Sequence, residues 1–376
     1  MAARSEMAAT AGRSDCGHRD LQWLGSHPPK IVRMPAGERV APAAPQRSVP
    51  SRAQPPSLPF APGSVSLRLY PHNDFTAEDI VNELCTQAGL ALNNGFDGIM
   101  MSEHHGGFAG YVAQPLQAAS FVLEEHATGW AAAAPMLLPL RTTALVAEEV
   151  AWLQARHPGR VGLGVAAGAL PLDFDVAHIS QRDAVDRYKA ELPRLVAMLR
   201  GEDLGELEAD PALRACRRDP VPVLSAAVSV AAAVRAARCG AGILLEGMSA
   251  PPRLARVTLA YAEAGGTGPT VLLRRVWLGR VRSGLVARQR AVYERYAGDG
   301  SSFGEDQTIA ADEPADLAER LAATMKEVGV DAVNLRVHLP GVAPEEVREQ
   351  ITHIGSAVVP RLKENGSWRS GRSLTT

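Results

Sequence analysis

The chain has 376 residues, 46% of them hydrophobic, so it is long enough to bury one large core or two medium-sized ones. Its formal net charge of −2 provides no global basic field of the kind that attracts nucleic acid. No apolar run approaches the roughly 20 residues of a membrane-spanning helix, and the N-terminus lacks the apolar core of a secretory signal. A cytoplasmic protein that binds neither nucleic acid nor membranes is expected.

Residues 1–63 differ in composition from the rest of the chain. They hold 10 of the 27 prolines, many alanines and arginines, and no sustained helical or strand period. Such a segment cannot bury enough apolar surface to offset its ordering entropy. We predict a disordered leader over 1–63, one folded domain over 64–363 and a flexible tail over 364–376. A basic interaction tail, or an over-long start of the chain, is the alternative for the leader.

From Val65 onward, apolar strand-like runs alternate with helical patterns. The first strand is predicted over 65–70. The first helix begins near Thr76, which forms a capping-box pattern with Asp79, and ends at Gly95. The other predicted strands are 98–101, 128–134, 160–165, 222–226, 241–245, 270–277 and 332–337. The other predicted helices are 115–125, 142–155, 184–199, 229–238, 251–264, two within 283–328 separated by a break at 298–313, and a last one from Pro344.

These elements amount to eight strand–helix units. Continuous apolar runs, such as that at 270–273, are typical of strands buried on both faces of a parallel sheet. Strict alternation of strands and helices leaves either a doubly wound open sheet or a closed barrel. Eight units in about 300 residues fit the barrel, and no GxGxxG motif follows the first strand. We therefore predict an α/β fold of the (β/α)8 TIM-barrel type.

The second predicted strand ends in a cluster of ionisable residues, Glu103, His104 and His105. In TIM barrels the reactive groups lie at the C-terminal ends of the strands. Strand alternation places His104 on one side and Glu103 with His105 on the other. A histidine there can act as a general base near neutral pH, oriented by a neighbouring carboxylate. A satisfied polar cap that closes the barrel is the alternative.

A metal site is not predicted. Adjacent histidines on a strand diverge, and the chain has no HExxH motif or second His/Cys/Asp cluster. The cysteines are scattered without a CxxC pair, so they predict neither a zinc site nor a disulfide framework. They are Cys16, Cys85, Cys216 and Cys239.

An ordered set of motifs between residues 65 and 362 resembles the bacterial luciferase-like family of flavin-dependent monooxygenases. Each motif is weak alone, but their order along the predicted barrel is specific. The motifs are Gly95-Phe-Asp-Gly98, Ser102-Glu-His-His105, Ala134-Pro-Met-Leu-Leu-Pro139, Ala147-Glu-Glu-Val150, and Gly159-Arg-Val-Gly-Leu-Gly164 leading through Gly168 to Asp173-Phe174.

The resemblance implies a reaction at the barrel mouth. Members bind reduced FMN or, in some branches, a deazaflavin there. His104 matches the catalytic histidine of the luciferases, His105 would line the substrate side, and Glu103 would tune or hold the pair. The resemblance implies a two-component monooxygenase in which a separate flavin reductase supplies reduced FMN, and O2 oxidises a small apolar substrate such as an aldehyde or another carbonyl compound. A homodimer is also expected by resemblance.

The resemblance also implies flavin-binding positions. Several relatives carry a cis peptide bond after the third strand, and the matching bond is Ala134–Pro135; an ordinary trans proline is the alternative. Ser229 is expected at the start of the helix over 229–238, where free backbone N–H groups can bind a phosphate, although a plain N-cap is the alternative. The small residues after the fourth strand would let the ring approach. The implied positions are Ala134, Pro135, Gly164, Ala166, Gly168, Ser225 and Ser229.

One position departs from the family pattern. The luciferases have a phosphate-contacting arginine where this chain has Ala167. Arg274 or Arg275 would compensate, or else would pair with carboxylates on the barrel exterior. The glycine- and serine-rich stretch over 298–304 is expected to form either a lid over the substrate or a plain solvent loop.

Two other functions remain open from the sequence. One is a deazaflavin-dependent oxidoreductase on the same fold, which transfers hydride without oxygen. The other is a flavin-binding barrel subunit without turnover, which the missing arginine makes conceivable. Retention of both His104 and His105 favours an active enzyme.

Overall fold

Eight parallel strands close into a barrel surrounded by helices, in a computed structural model that describes residues 57–72, 74–296 and 307–366. Strands β1 to β7 follow one another around the barrel, and β9 closes it between β7 and β1. The predicted (β/α)8 TIM barrel is confirmed. The strands are β1 (Val65–Arg68), β2 (Gly98–Met101), β3 (Trp130–Leu137), β4 (Val161–Ala166), β5 (Val223–Ala226), β6 (Gly242–Leu245), β7 (Thr270–Leu278), β8 (Ile309–Ala311) and β9 (Ala332–Arg336).

The helices follow the predicted pattern closely. Thr76 caps the first helix, accepting a hydrogen bond from the Asp79 N–H and donating one to its carboxylate, as the capping-box pattern predicted. The helices are α1 (Ala77–Asn93), α2 (Pro115–Glu125), α3 (Thr143–Arg156), α4 (Pro171–Ala177), α5 (Gln181–Met198), α6 (Pro211–Ala215), α7 (Val230–Arg238), α8 (Pro251–Glu263), α9 (Ser283–Tyr296), α10 (Pro314–Val328), α11 (Pro344–His353) and α12 (Val359–Asn365).

The N-terminal end of the barrel is closed by residues that the sequence analysis assigned to the leader. Phe60 is 1% exposed and meets the ring of Trp130 edge to face at 5.1 Å. A Cβ atom on Gly162 would stand 2.6 Å from the Phe60 ring, so only glycine leaves room for this contact. Residues 57–63 therefore belong with the barrel, because an aromatic side chain among polar and proline residues fills its open end. Residues 1–56 and 367–376 lie outside the described residues.

The barrel interior changes character along its axis. Near the N-terminal end it is apolar. Toward the C-terminal end, inward positions carry buried polar side chains, including Ser66, Arg68, Ser102 and Asn334. The mouth is therefore the polar end of the barrel, which is where such barrels hold their chemistry. The apolar interior cluster consists of Phe60, Met100, Trp130, Ala132, Ala134, Leu224, Leu244, Val271 and Ala332.

Three short elements were not predicted from the sequence. Helices α4 and α6 are short, and β8 is a three-residue strand that pairs with the C-terminal part of β7 outside the eight-strand ring. Residues 298–304, where a lid or a solvent loop was predicted, lie outside the described residues. Within the part of the chain that the structure describes, none of the helices combines the length and apolarity that crossing a membrane requires.

Candidate active site

The Glu103–His105 cluster lies directly beyond the end of β2, at the mouth of the barrel. The backbone of Glu103 forms an isolated parallel β-bridge with that of Val112, and the backbone N–H of His104 donates to the Val112 carbonyl at 3.3 Å. The side chains alternate as predicted: Glu103 and His105 bond to each other, whereas His104 bonds elsewhere. The strand end therefore supplies two separate polar groups rather than one histidine cluster.

His104 is held by a buried carboxylate from α4. Its Nδ1 lies 2.8 Å from Oδ2 of Asp173, which is 1% exposed, and the other carboxylate oxygen accepts the backbone N–H of His105 at 2.8 Å. The carboxylate favours a proton on Nδ1, which leaves Nε2 of His104 to exchange a proton with a ligand. Nε2 forms no hydrogen bond with the described residues, and the side chain is 17% exposed. Asp173, rather than Glu103, is therefore the group that orients His104.

Glu103 forms the centre of a second polar network. One carboxylate oxygen receives His105 Nε2 at 2.7 Å and Arg141 Nη2 at 2.8 Å, and the other accepts the backbone N–H of Leu137 at 2.7 Å. The side chain is almost fully buried, so these contacts compensate for its desolvation. The network fixes the end of β3 and the orientation of His105 against β2.

An unbroken series of aromatic side chains runs from His104 to β9. The ring of Tyr111 lies 4.4 Å from His104 and 5.2 Å from Tyr70, centroid to centroid. Tyr70 in turn stacks on His338 at 5.4 Å. Phe108 adds a further ring 4.9 Å from His104. These rings give the mouth one apolar wall beside the reactive histidine.

The predicted flavin-ring positions form a surface of small residues on β3 and β4. The Ala134–Pro135 bond is cis, as predicted, and the pairing of β3 with β4 shifts register between Ala133 and Met136. A Cβ atom on Gly164 would lie 2.7 Å from the Cβ of Ala134, so the two strands approach too closely for any larger residue. Ala166 ends β4, and Gly168 follows with a φ of 84°. The structure brings these positions together beside the Glu103 network, since the Glu103 N–H donates to the Pro135 carbonyl at 3.0 Å.

The two predicted phosphate-binding serines have different environments. Ser229 is exposed and caps α7, accepting a hydrogen bond from the Ala232 N–H at 3.3 Å. Ser225 is 1% exposed, and its hydroxyl lies 2.7 Å from that of Tyr188 on α5. The Ser225 side chain therefore faces the helical layer and not the mouth, because its position in β5 has the outward parity. Only Ser229 keeps a geometry that suits an anion.

The arginines considered as substitutes for the missing one at 167 are neighbours on β7, so they point to opposite faces of the strand. Arg274 is buried and donates to the Gly247 carbonyl at 3.2 Å. Arg275 donates to Thr308 at 3.3 Å and to Gln289 of α9.

A second pair of histidines lies at the mouth between β1 and β9. His338 meets His72 edge to face at 5.1 Å. Burial, followed by the positive charge of Arg336, holds the pKa of His338 well below its usual value. Burial also lowers the pKa of His72, whose Nε2 lies 3.0 Å from the amide of Gln87. Both imidazoles are therefore neutral near pH 7.

Sequence reasoning missed several of these residues or their roles. Asp173 stands 69 positions from His104, so no local motif links them; the signal was an acidic residue in a loop after β4. Arg141 follows β3 by a few residues and gave no signal. Arg68 could have been found from its position, since a charged residue in the middle of an apolar strand is rarely buried without a role.

The mouth has features that fit a flat heterocyclic cofactor with a phosphate. The ends of β3 and β4 carry small residues, Ala134, Ala166 and Gly168, so no bulky side chain from these positions covers the backbone at the mouth. The capped N-terminus of α7 offers a site for an anion. The residues present therefore fit FMN or a deazaflavin, without the arginine that the family pattern has at position 167.

Comparisons with known proteins agree with this geometry. Residues 65–359 match the model of the luciferase-like monooxygenase family. A search of curated protein sequences finds no match.

Three solved structures share the fold at low sequence identity. The monooxygenase RslO1 from Streptomyces bottropensis is 17% identical, with a TM-score of 0.64 over 79% of this chain and 99% of its own. The oxygenating constituent of 3,6-diketocamphane monooxygenase from Pseudomonas putida, in complex with FMN, is 16% identical, with a TM-score of 0.62 over 80% and 98%. An F420-dependent secondary alcohol dehydrogenase is 16% identical, with a TM-score of 0.59 over 80% and 98%. Since the family model covers most of the barrel, the chain belongs to the luciferase-like monooxygenase family.

Proposed function

We propose that the protein is an FMN-dependent monooxygenase that uses O2 to oxidise a small organic substrate with an apolar body. A separate flavin reductase would supply the reduced FMN. The observation that carries the proposal is the His104–Asp173 pair at 2.8 Å, which leaves Nε2 of His104 without a partner among the described residues, beyond the end of the strand that pairs with β3. When bound, reduced FMN would supply the electrons that activate oxygen.

His104 would act as the proton-transfer group. Asp173 accepts the Nδ1 proton, so Nε2 can take a proton from a reacting group and later return it. The buried carboxylate stabilises the imidazolium that forms in between, while its second oxygen is held by the His105 N–H. His104 is therefore proposed as the catalytic residue and Asp173 as the residue that positions it.

Glu103, His105 and Arg141 would serve a different purpose. Their buried network fixes the strand end that carries His104 and the β3 end that carries Pro135. A pre-arranged polar network keeps reacting groups in place without reorganisation during the reaction. His105 is half-buried, so it can also contact a substrate on its side of the mouth.

The cofactor would be held by three groups of residues. Ala134, Pro135 and Gly164 would face the ring, and Ala166 and Gly168 would flank it. Ser229 and the first backbone N–H groups of α7 would hold the phosphate, since a helix N-terminus of this length favours an anion. Because the Ser225 hydroxyl is engaged with Tyr188, it is not included.

A deazaflavin-dependent oxidoreductase is the second candidate. The F420-dependent alcohol dehydrogenase shares the barrel with a TM-score of 0.59, and Ala167 removes a group that the FMN-binding pattern has. Under this alternative the same His104 would exchange a proton while hydride is transferred without oxygen.

An anaerobic titration of the full-length protein would separate the candidates. Reduced FMN and reduced F420 are added in parallel, and binding is followed by fluorescence. Preferential binding of FMN, with oxygen consumption once air and a substrate are admitted, is expected. Preferential binding of F420 would move the protein to hydride transfer, and binding of neither would favour a barrel subunit without turnover. Sedimentation of the same sample tests the homodimer, which we also propose.

A further inference from the structure

Three neighbouring strands place arginines at inward positions near the mouth. Arg275 of β7 is directly in register with Arg336 of β9. Leu67 of β1 pairs with Leu335, which puts Arg68 next to Arg336 in the same row. Alternate residues of a strand point to the same side. Arg275 therefore points inward like Val271 of the interior cluster, and Arg336 and Arg68 point inward like Asn334 and Ser66, which bond to each other inside the barrel. We call Arg68, Arg275 and Arg336 the basic row.

Arg68 is a buried cation with an unused donor. It is 2% exposed, and it donates to Asn334 Oδ1 and to Ser102 Oγ, both at 2.8 Å. Its Nη2 has no hydrogen-bond partner among the described residues, and the two side chains to which it donates are not carboxylates. A buried guanidinium without a counter-charge is costly, and an anion that reached Nη2 would offset this cost.

His338 adds a second unused polar atom above the basic row. It is 6% exposed, and its Nδ1 has no hydrogen-bond partner in the part of the chain that the structure describes. The Arg336 guanidinium donates to the His338 backbone carbonyl at 3.3 Å and lies 4.0 Å from the centre of the Tyr70 ring. After burial, Arg336 and, more weakly, Arg275 lower the pKa of His338, so both guanidinium groups act on this imidazole.

The basic row is separate from the proposed cofactor positions. The latter lie on β3 and β4 and at the start of α7, whereas the row spans β7, β9 and β1, with β2 between the two groups on one side. The aromatic series from His338 through Tyr70 and Tyr111 leads from the row to His104. A molecule with one charged end and an apolar body could therefore span from the basic row to the proposed catalytic histidine.

We propose that the basic row, together with His338, binds an anionic group of the organic substrate, such as a carboxylate. The substrate would then be an organic anion whose apolar body lies along Tyr70 and Tyr111. This inference rests on the proposed function for the site at which the substrate reacts. The binding of the anion is independent of it.

The test compares octanoate with octanamide, which has the same chain but no charge. Calorimetric titration of the full-length protein at neutral pH and fixed ionic strength is run with and without saturating FMN. Octanoate is expected to bind at least about tenfold more tightly than octanamide, because charge-assisted hydrogen bonds exceed neutral ones. Saturation with FMN is expected to leave octanoate binding in place.

Two variants locate the anion. Arg336→Gln and, separately, His338→Gln are expected to weaken octanoate binding, the former by about tenfold or more, while FMN affinity stays unchanged. Arg320→Gln removes an exposed arginine that pairs with Asp316 on α10 and serves as the matched control. Circular dichroism checks the fold of each variant. If Arg336→Gln does not fold, the inference is tested by His338→Gln and by the affinities of the wild-type protein for octanoate and octanamide.

Three results would overturn the inference. Equal affinity for octanoate and octanamide would mean that the row does not select an anion. Displacement of octanoate by FMN would assign the anion site to the cofactor phosphate. Unchanged octanoate binding in both folded variants would place the anion elsewhere. A protein that binds octanoate selectively but neither FMN nor F420 would refute the proposed function and leave the anion site intact.

Discussion

The two ends of the barrel are built from the same strands but differ in what their inward side chains do. At the N-terminal end, Phe60 and Trp130 fill the interior with aromatic packing. At the C-terminal end, the buried side chains include the cation Arg68 and the titratable imidazole of His338. Among the described residues, Arg68 Nη2 and His338 Nδ1 have no hydrogen-bond partner, and at the N-terminal end the same holds for the uncharged Nε1 of Trp130. Aromatic packing stabilises the fold, whereas burial of a charged group without a counter-charge costs more free energy than burial of a neutral N–H group. The two ends therefore differ in the charge of their buried polar groups.

The contrast extends along single strands. In β1 the inward residues are Ser66 and Arg68, and the chain continues to Tyr70. In β3 they run from Trp130 through Ala132 to Ala134. The aromatic bulk lies at the bottom of β3 and the small residues at its top, while β1 has the reverse order. One side of the mouth is thereby kept open above small residues, and the other is lined with rings and charge.

The largest expected effect is on catalysis at the mouth. His104→Ala should lower the rate of product formation by about 10²- to 10⁴-fold, because the group that transfers the proton is lost. The dissociation constant for reduced FMN should change little. Rapid-mixing measurements of turnover, with a separate binding titration, check both expectations.

The Asp173→Asn variant measures how much the carboxylate contributes to the activity of His104. It keeps the shape of the side chain but removes its charge, so the rate should fall by about ten- to a hundredfold, less than for His104→Ala. The loss should lie in kcat and not in substrate affinity. Full activity of His104→Ala would refute the catalytic assignment, and an undiminished kcat in Asp173→Asn would leave Asp173 as a structural residue only.

The next effect concerns stability at the opposite end. Phe60→Ala should lower the free energy of unfolding by about 3–5 kcal/mol, because it leaves a cavity beside Trp130 and Gly162. Phe60 already has a φ of 62°, and alanine there meets the same backbone restriction, so the change reports mainly packing. Urea denaturation measures the loss.

A matched substitution two residues away serves as the control. Leu58 is 62% exposed, so Leu58→Ala should change the free energy of unfolding by no more than about 0.5 kcal/mol. Reduced FMN should bind to Phe60→Ala as it does to the wild type at temperatures where the variant is folded. Weaker FMN binding would show that packing at the N-terminal end affects the mouth, so the two ends would not be independent.

The sequence predicted the mouth better than the bottom of the barrel. Hydrophobic periodicity located all eight barrel strands, and the adjacent Glu103, His104 and His105 marked the mouth. Phe60 was missed because a single aromatic residue among prolines has no periodicity. Its role depends on Gly162, about a hundred residues away, which no local pattern reveals.

Partners within the site were also beyond the reach of the sequence. Strand alternation correctly separated His104 from Glu103 and His105, since parity is a local property. Parity alone could not show that α4 places Asp173 against His104, because that contact depends on the packing of a seven-residue helix. For Ser225, parity explains why the expectation failed: its neighbour Leu224 belongs to the interior cluster, so Ser225 points outward to Tyr188.

The smallest effect concerns pH and the buried imidazole of His338. Burial, followed by Arg336, His72 and Arg275, holds its pKa well below the value of about 6.5 in the unfolded chain. Between these two pKa values the unfolded state binds a proton that the folded state does not. Protonation of His338 in the unfolded chain therefore lowers the free energy of unfolding as the pH falls below about 6.5, and it has little effect on that free energy above this pH. Between about pH 7.5 and 5.5 the loss due to His338 is at most about 1.4 kcal/mol.

Urea denaturation of the wild type and of His338→Gln at both pH values isolates this contribution. The variant should lose less stability on acidification than the wild type, and the difference should approach the loss assigned to His338. His72 and His157 have pKa values lowered by burial too, so part of the pH dependence should persist in the variant. Phe60→Ala should instead lower stability equally at both pH values, because it removes only apolar contacts. An identical pH dependence in wild type and His338→Gln would mean that the imidazole gains a compensating partner on protonation, and the two ends of the barrel would then differ in packing but not in electrostatic cost.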